Sequence, residues 1–249
     1  MEKIQFLNTF VNNCNMTECL DEIEKMISAE KKSYVVAVNT DVIIKIENDV
    51  LLKEITDNAD MVLVDGKPLI WIAKKHKKPI KDKVSGSDMV PLLCKKAAEK
   101  GYTIFILGGK EGVAEQAKIK LEEQMPDIKI AGVYAPPLGF EKDENETKKI
   151  NKLISDAKPD ILLACLGCPK QEKFIYNNID KYEAKVSICA GATVDFLAGN
   201  IKRAPKWMSN HGLEWLYRFF KEPKRLFKRY FIDDIKIFKL ARKYRKLYE

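Results

Sequence analysis

The sequence predicts an α/β protein, with a Rossmann-like, mostly parallel sheet, helices on both faces and a basic helical appendage at the carboxyl end. Three observations carry this. Short, wholly apolar runs such as Met61-Val62-Leu63-Val64 recur along the chain, and a run apolar at every position suits a strand buried on both faces. These runs alternate with segments of helical spacing at least five times, through short loops, which is the pattern of a parallel sheet joined by crossover helices. The charge is also uneven: residues 201–249 hold 15 Lys/Arg against 5 Asp/Glu, a local +10, whereas the whole 249-residue chain is +8. The expected division is therefore an α/β catalytic body over 1–200 and an appendage over 201–249.

In order, a strand is expected at 4–7 and a helix at 17–29. A strand at 34–38 ends at Asn39-Thr40-Asp41, and one helix runs on to about 58, with Val42, Ile43, Ile46, Val50, Leu51 and Ile55 on its apolar face. The strand at 61–64 stops at Asp65-Gly66, leaving a carboxylate at the strand's carboxyl end, where open α/β sheets collect ligands. A helix follows at 68–75. Ser85-Gly86-Ser87-Asp88 then opens another with capping groups, and it runs to Lys100, where Gly101 ends it as a C-cap. Further strands are expected at 103–107, 128–133, 160–166 and 186–190. Helices ending near 124 and spanning 142–157 and 169–178 separate them, the last with Pro169 in its first turn.

Composition excludes several classes. Hydrophobic content of 46% with 32% charged residues is that of a soluble globular chain. No apolar run approaches the roughly 18–20 residues of a membrane span, and the first ten residues lack the basic-then-apolar pattern of a signal peptide. The expected location is the cytoplasm. Six cysteines suit a reducing compartment; Cys165-Leu166-Gly167-Cys168 is one C-x-x-C pair in a chain with two histidines, too few ligands for zinc.

The chemistry-bearing residues gather at strand ends: Asn39-Thr40, Asp65-Gly66, Gly108-Gly109, Gly167 with Gln171, and Gly191. Glycine lets backbone amides approach a phosphate, and helix amino termini add partial positive charge. Leu107-Gly108-Gly109-Lys110-Glu111-Gly112 is the best diphosphate cradle by this logic, although glycines at such turns also have purely steric uses. Neither G-x-G-x-x-G nor G-x-x-x-x-G-K-[ST] occurs, which argues against nicotinamide and P-loop chemistry. No Asp-x-Asp pair occurs either, so no metal cofactor is expected, and a departing diphosphate would be met by amides and by Lys or Arg. Lys83 is one such cation, or else a solvated loop charge. Asp65 is a proton acceptor, or else a turn former. The tail interleaves cations with aromatics, as in Gly212-Leu213-Glu214-Trp215-Leu216-Tyr217-Arg218. A core-packed helix, a nucleic-acid patch and a segment lying on anionic lipid all fit this, and the aromatic and Leu content favours the first or third.

Seven motifs occur in a fixed order: Asn39-Thr40-Asp41, Asp65-Gly66-Lys67-Pro68-Leu69, Val84-Ser85-Gly86-Ser87-Asp88, Leu107-Gly108-Gly109, Gly167-Cys168-Pro169-Lys170-Gln171-Glu172, the run from Gly191 to Gly199, and Arg203-Ala204-Pro205. With this set the chain resembles the WecG/TagA/CpsF glycosyltransferases over about residues 34–234. The resemblance implies transfer of a sugar, often N-acetylmannosamine, from a UDP-sugar to a polyprenyl-diphosphate-linked N-acetylglucosamine in teichoic acid or polysaccharide synthesis. It places the general base on Asp65 and pocket positions on Asn39 and Gln171; the strand ends and helix starts add Thr40, Gly66, Gly86, Ser87, Gly108 and Gly109 as expected substrate contacts. Where the family often has Arg, this chain has Lys83, which neutralises a phosphate without gripping it bidentately. The tail corresponds to a part that docks on the inner face of the membrane and completes the site with arginines, for which Arg203, Arg218, Arg225 and Arg229 are candidates. A nucleic-acid partner is not expected, and a homo-oligomer stays open. A different nucleotide-sugar enzyme, such as an epimerase, and a non-catalytic binding protein held to membrane or nucleic acid by its tail remain the alternatives.

Overall fold

In the computed structural model, which describes residues 1–201, 204–205, 208 and 213–247 apart from the side chains of Glu214, Arg218, Arg225 and Leu247, the chain opens with an antiparallel hairpin. Its strands are β1 (Lys3–Phe6) and β2 (Thr9–Asn12). The second strand is not expected from sequence. Its turn holds no glycine, and Leu7 itself takes a φ of 50°, a conformation that Leu rarely adopts. Complete burial of the Leu7 side chain offsets the strain.

The apolar runs become β3 (Ser33–Val38), β4 (Met61–Val64), β5 (Thr103–Gly108), β6 (Lys129–Tyr134), β7 (Ile161–Cys165) and β8 (Val186–Cys189). They form one sheet in the order β4-β3-β8-β7-β5-β6, every pair parallel. The expected α/β architecture is the observed one. Alternate residues feed two cores, so that Val36 and Val38 point to one face and Val35 to the other. On the first face lie α2 (Thr40–Ile46), α3 (Val50–Asp57), α4 (Lys67–Lys75), α7 (Glu144–Ala157) and α8 (Lys170–Asn178). On the second lie α1 (Met16–Ser28), α5 (Gly86–Lys100), α6 (Val113–Gln124) and the short α9 (Thr193–Leu197).

The single helix expected up to residue 58 is two. Asp49 interrupts it, its carboxylate accepting from the Leu52 N–H at 3.0 Å and capping a new start. Val50, expected on the apolar face, is 82% exposed, while Leu52 is buried.

The tail contains α10 (Glu214–Lys221), α11 (Pro223–Lys228), a π-turn over Arg229–Asp233 and α12 (Lys236–Lys243). It is only partly an appendage. Ile237 and Leu240 of α12 join the core beside α2, and Glu47 accepts hydrogen bonds from Tyr244 Oη and Lys243 Nζ. The preceding segments pack aromatic on aromatic, with Phe219 and Phe231 ring centroids 5.2 Å apart. They leave Phe220, Phe227, Ile232 and Ile235 exposed, as α12 leaves Phe238.

One glycine of the sheet is fixed by packing. Gly108 ends β5 at φ 113°, and a Cβ there would stand 2.4 Å from the carbonyl oxygen of Cys165 on β7. Gly108→Ala should therefore cost about 3 kcal/mol or more in denaturant unfolding, combining backbone strain with a collision between strands. A midpoint equal to wild type would show that the β5–β7 contact yields.

Candidate active site

Asp65 is placed by the strand it follows. All four residues of β4 are buried, so a slip of one residue in register would change the side each faces. The ladder continues past the strand: the Asp65 N–H donates to Val38 O at 2.8 Å, and the Val84 N–H donates to Val64 O at 2.9 Å. The second bond returns the chain to the end of β4 and sets residues 83–87 against Asp65. Gly66 follows with φ 121° and serves as N-cap of α4, with Pro68 in the first turn. Asn39, at the end of β3, caps α2 by accepting from the Val42 N–H at 3.1 Å.

These ends face a cleft of about 420 Å³ whose other wall is the tail. Asn39, Thr40, Asp65, Gly66, Lys83 and Ser87 line it from the body, and Arg229 lines it from the π-turn. Seven of the sequence-predicted site residues thus meet at one place. Lys83 is not a solvated loop charge: its side chain is 13% exposed, and its ammonium lies 2.7 Å from Asp88 Oδ2 and donates to Ser85 Oγ at 3.3 Å. It marks the amino terminus of α5, where positive charge and free amides coincide.

The other predicted residues lie elsewhere. A Cβ on Gly86 would meet Thr193 Oγ1 at 3.4 Å, so this glycine lets α5 approach the turn after β8. Gly108 and Gly109 sit at the end of β5, away from the cleft lining, and Gly109 is pressed against Val194 and Val113. Gln171 is 5% exposed. Its Oε1 accepts from the Gly167 and Gly191 N–H groups at 3.2 and 3.0 Å, tying the turns after β7 and β8 together. Its Nε2 donates to Glu172 Oε1 at 2.9 Å. Arg203, and the side chains of Arg218 and Arg225, fall outside the described residues.

The tail adds wall residues that the motifs do not point to: Tyr230, Phe231, Asp234 and Phe238. Asp234 carried one sequence signal. With Asp233 it forms the only acidic pair in a stretch otherwise rich in Lys and Arg. Burial, opposed by the Arg229 guanidinium and reinforced by the nearby Asp41 and Asp233 carboxylates, raises its pKa to about 6. The C-x-x-C cysteines are free, and burial pushes the Cys165 thiol up to about 12, the opposite of a reactive thiolate.

With this geometry in view, the comparisons with known proteins are direct. The model of the glycosyl transferase WecG/TagA/CpsF family matches residues 4–249. The chain belongs to that family. It is 32% identical over 214 residues to the N-acetylglucosaminyldiphosphoundecaprenol N-acetyl-beta-D-mannosaminyltransferase of Bacillus subtilis (strain 168), covering 86% of this chain and 81% of that one. It is 28% identical over 199 residues to the enzyme of the same name from Bacillus spizizenii (strain ATCC 23059 / NRRL B-14472 / W23), covering 80% and 75%. The protein is thus a glycosyltransferase, and the non-catalytic reading is set aside. No helix among the described residues is long and apolar enough to cross a membrane.

A buried carboxyl beside Gln171 gives a pH test. Glu172 is 0% exposed, and its Oε2 has no hydrogen-bond partner among the described residues. Burial raises its pKa above the ordinary 4.5. Above that ordinary value the folded protein keeps a proton that the unfolded chain releases, so stability falls as pH rises towards the native value. Glu172→Gln removes the titration. Its melting temperature relative to wild type should therefore climb as the pH is raised above the ordinary carboxylate value; a difference that stays constant with pH would mean that Glu172 is ionised in the fold.

Proposed function

We propose that the protein transfers a sugar from a UDP-sugar to a polyprenyl-diphosphate-linked N-acetylglucosamine, inverting the anomeric centre and using no metal. The observation that supports it best is that the Asp65 carboxylate shares one cleft with the Lys83 and Arg229 cations. N-acetylmannosamine is the proposed sugar because the two relatives are named for it.

In this reading Asp65 takes the proton from an acceptor hydroxyl as its oxygen attacks the anomeric carbon. The new C–O bond forms on the face opposite the diphosphate, and the bond to that diphosphate breaks with its electron pair going to UDP. Lys83 and Arg229, with the amides opening α5, neutralise the departing charge. Metal independence rests on the absence of an Asp-x-Asp pair and on these cations serving instead. The acceptor is a lipid, and the exposed aromatics of the tail, set among lysines, suit an anionic membrane surface on the cytoplasmic side.

The test is UDP release from UDP-N-acetylmannosamine, with and without polyprenyl-diphosphate N-acetylglucosamine, in the presence of a chelator. Acceptor-dependent release that Asp65→Asn lowers by roughly 10²–10⁴-fold is expected. Near-normal turnover in that variant would remove Asp65 as the base, and loss of activity in the chelator would remove metal independence.

Docking is tested by substitution rather than truncation, because deleting the tail would open the core around Ile237 and Leu240. Replacing the exposed Phe220 and Phe227 by Ser should lower co-sedimentation with anionic vesicles about tenfold or more, since each inserted Phe is worth roughly 1.5–3 kcal/mol. Unchanged partition would show that the tail aromatics do not enter lipid.

A further inference from the structure

We infer that Asp234 is a specificity-determining residue: its carboxylate accepts a sugar hydroxyl of the glycosyl diphosphate whose phosphate Arg229 holds. The inference rests on the function proposed above and goes beyond it by assigning a sugar contact to the tail.

The geometry of the pair carries it. Arg229 and Asp234 both line the cleft that holds Asp65 and Lys83. Arg229 Nε lies 3.9 Å from Asp234 Oδ2, with the two side chains 30% and 18% exposed. That distance is too long for a hydrogen bond. Nε of Arg229 and Oδ1 of Asp234 are both buried and have no hydrogen-bond partner among the described residues. One atom of each charged group has been drawn out of water without the bond it needs, an arrangement that disfavours the empty site.

The neighbours do not relieve it. Asp234 faces Arg229 and Asp233 from its own segment, and Asp41 and Lys45 from α2. Asp233 is engaged by Lys236 at 2.7 Å. Asp41 is engaged by Lys45 at 2.8 Å, and that ammonium also donates to Cys168 O at 3.2 Å. The surrounding charges are paired off, while one oxygen of Asp234 and one nitrogen of Arg229 stay open.

A ligand that completes both must bring an anionic oxygen and a hydroxyl donor a few ångströms apart. A glycosyl diphosphate has this form: the guanidinium takes a phosphate oxygen, and the carboxylate takes a hydroxyl of the attached sugar. A diphosphate without its sugar satisfies Arg229 alone and sets its charge against Asp234. Sites built to hydrogen-bond a substrate hydroxyl discriminate strongly against analogues that lack it. Asp234 therefore favours the glycosylated substrate over the bare diphosphate left after transfer, and it does so best as the carboxylate. Affinity for the glycosyl diphosphate should fall as pH drops through about 6.

The experiment compares full-length wild type, Asp234→Asn and Asp234→Ala by calorimetric titration with UDP-N-acetylmannosamine and with UDP. The KM for the polyprenyl-diphosphate acceptor is measured alongside. A UDP-sugar is a diphosphate diester whose charge is constant between pH 5 and 7.5, so pH dependence of its binding reports on the protein. The expected result is about a tenfold or greater loss of affinity for the glycosyl diphosphate in Asp234→Ala, an intermediate loss in Asp234→Asn, and UDP affinity unchanged or improved. The pH dependence should flatten in both variants. A loss confined to UDP-sugar binding assigns the hydroxyl to the donor; a loss confined to the acceptor KM assigns it to the lipid-linked sugar. Equal loss for UDP and UDP-sugar, wild-type affinities together with a wild-type acceptor KM in both variants, or wild-type binding that tightens on acidification would overturn the inference and leave the proposed function intact. Failure of wild type to bind any glycosyl diphosphate would overturn both.

Discussion

The cleft depends on one strand end. β4 is buried at every residue, so its position relative to both cores is not adjustable, and two backbone hydrogen bonds extend that certainty past its last residue. The Asp65 N–H to Val38 O bond fixes where the carboxylate leaves the sheet. The Val84 N–H to Val64 O bond brings back a segment 20 residues later, with Lys83 and the start of α5. A carboxylate and a cation far apart in sequence are thereby held by main-chain geometry, which does not vary with side-chain rotamers. Such preorganisation lets a site meet developing charge without first reorganising.

The far wall is held differently. The tail reaches the body through apolar contacts of Ile237 and Leu240 and through Glu47, which also accepts from Asn8 of the amino-terminal hairpin at 2.9 Å. The two ends of the chain thus converge on one side chain of the α2–α3 junction. Nearby hydrogen-bond partners and the Lys243 ammonium keep Glu47 below the ordinary carboxylate range despite its partial burial. The break between α2 and α3 has a use in this light. A continuous helix would carry Asp49 and Glu47 along one axis, whereas the break lets Glu47 meet the tail while Asp49 caps α3 and pairs with Lys173 of α8 at 2.7 Å.

The sheet was legible because its signal is local. A strand buried on both faces is largely apolar, and five such runs ended in turns that named their own rim residues. Asp65, Asn39, Thr40 and Lys83 could be placed for the same reason. Features set by distant parts of the chain were not legible. Leu7 adopts a glycine-like φ because a core formed later in the sequence buries its side chain. Val50 matches a helical stripe until Asp49 starts a new helix. Gly108 reads as a phosphate turn, yet β7 supplies a sufficient steric reason for it. Gln171 reads as a polar residue near a site, and only the spatial approach of Gly167 to Gly191 shows that it joins two turns. Asp234 had a weak mark, acidity within a basic tail, whose meaning depends on which residues of α2 it meets.

The split between a rigid inner wall and a tail-built outer wall has a chemical logic. A glycosyl transfer must proceed with water kept from the anomeric carbon, because water is the competing nucleophile. A site complete at all times in solution would expose the donor to hydrolysis. Here Asp65 directly follows a strand of the sheet and Lys83 precedes α5, whereas Arg229, the aromatic wall and Asp234 belong to segments whose outer surface carries exposed Phe220, Phe227 and Phe238. The same π-turn that puts Arg229 into the cleft also puts Ile232 on the outside. A surface that covers those apolar residues would lie against the same segments that wall the cleft.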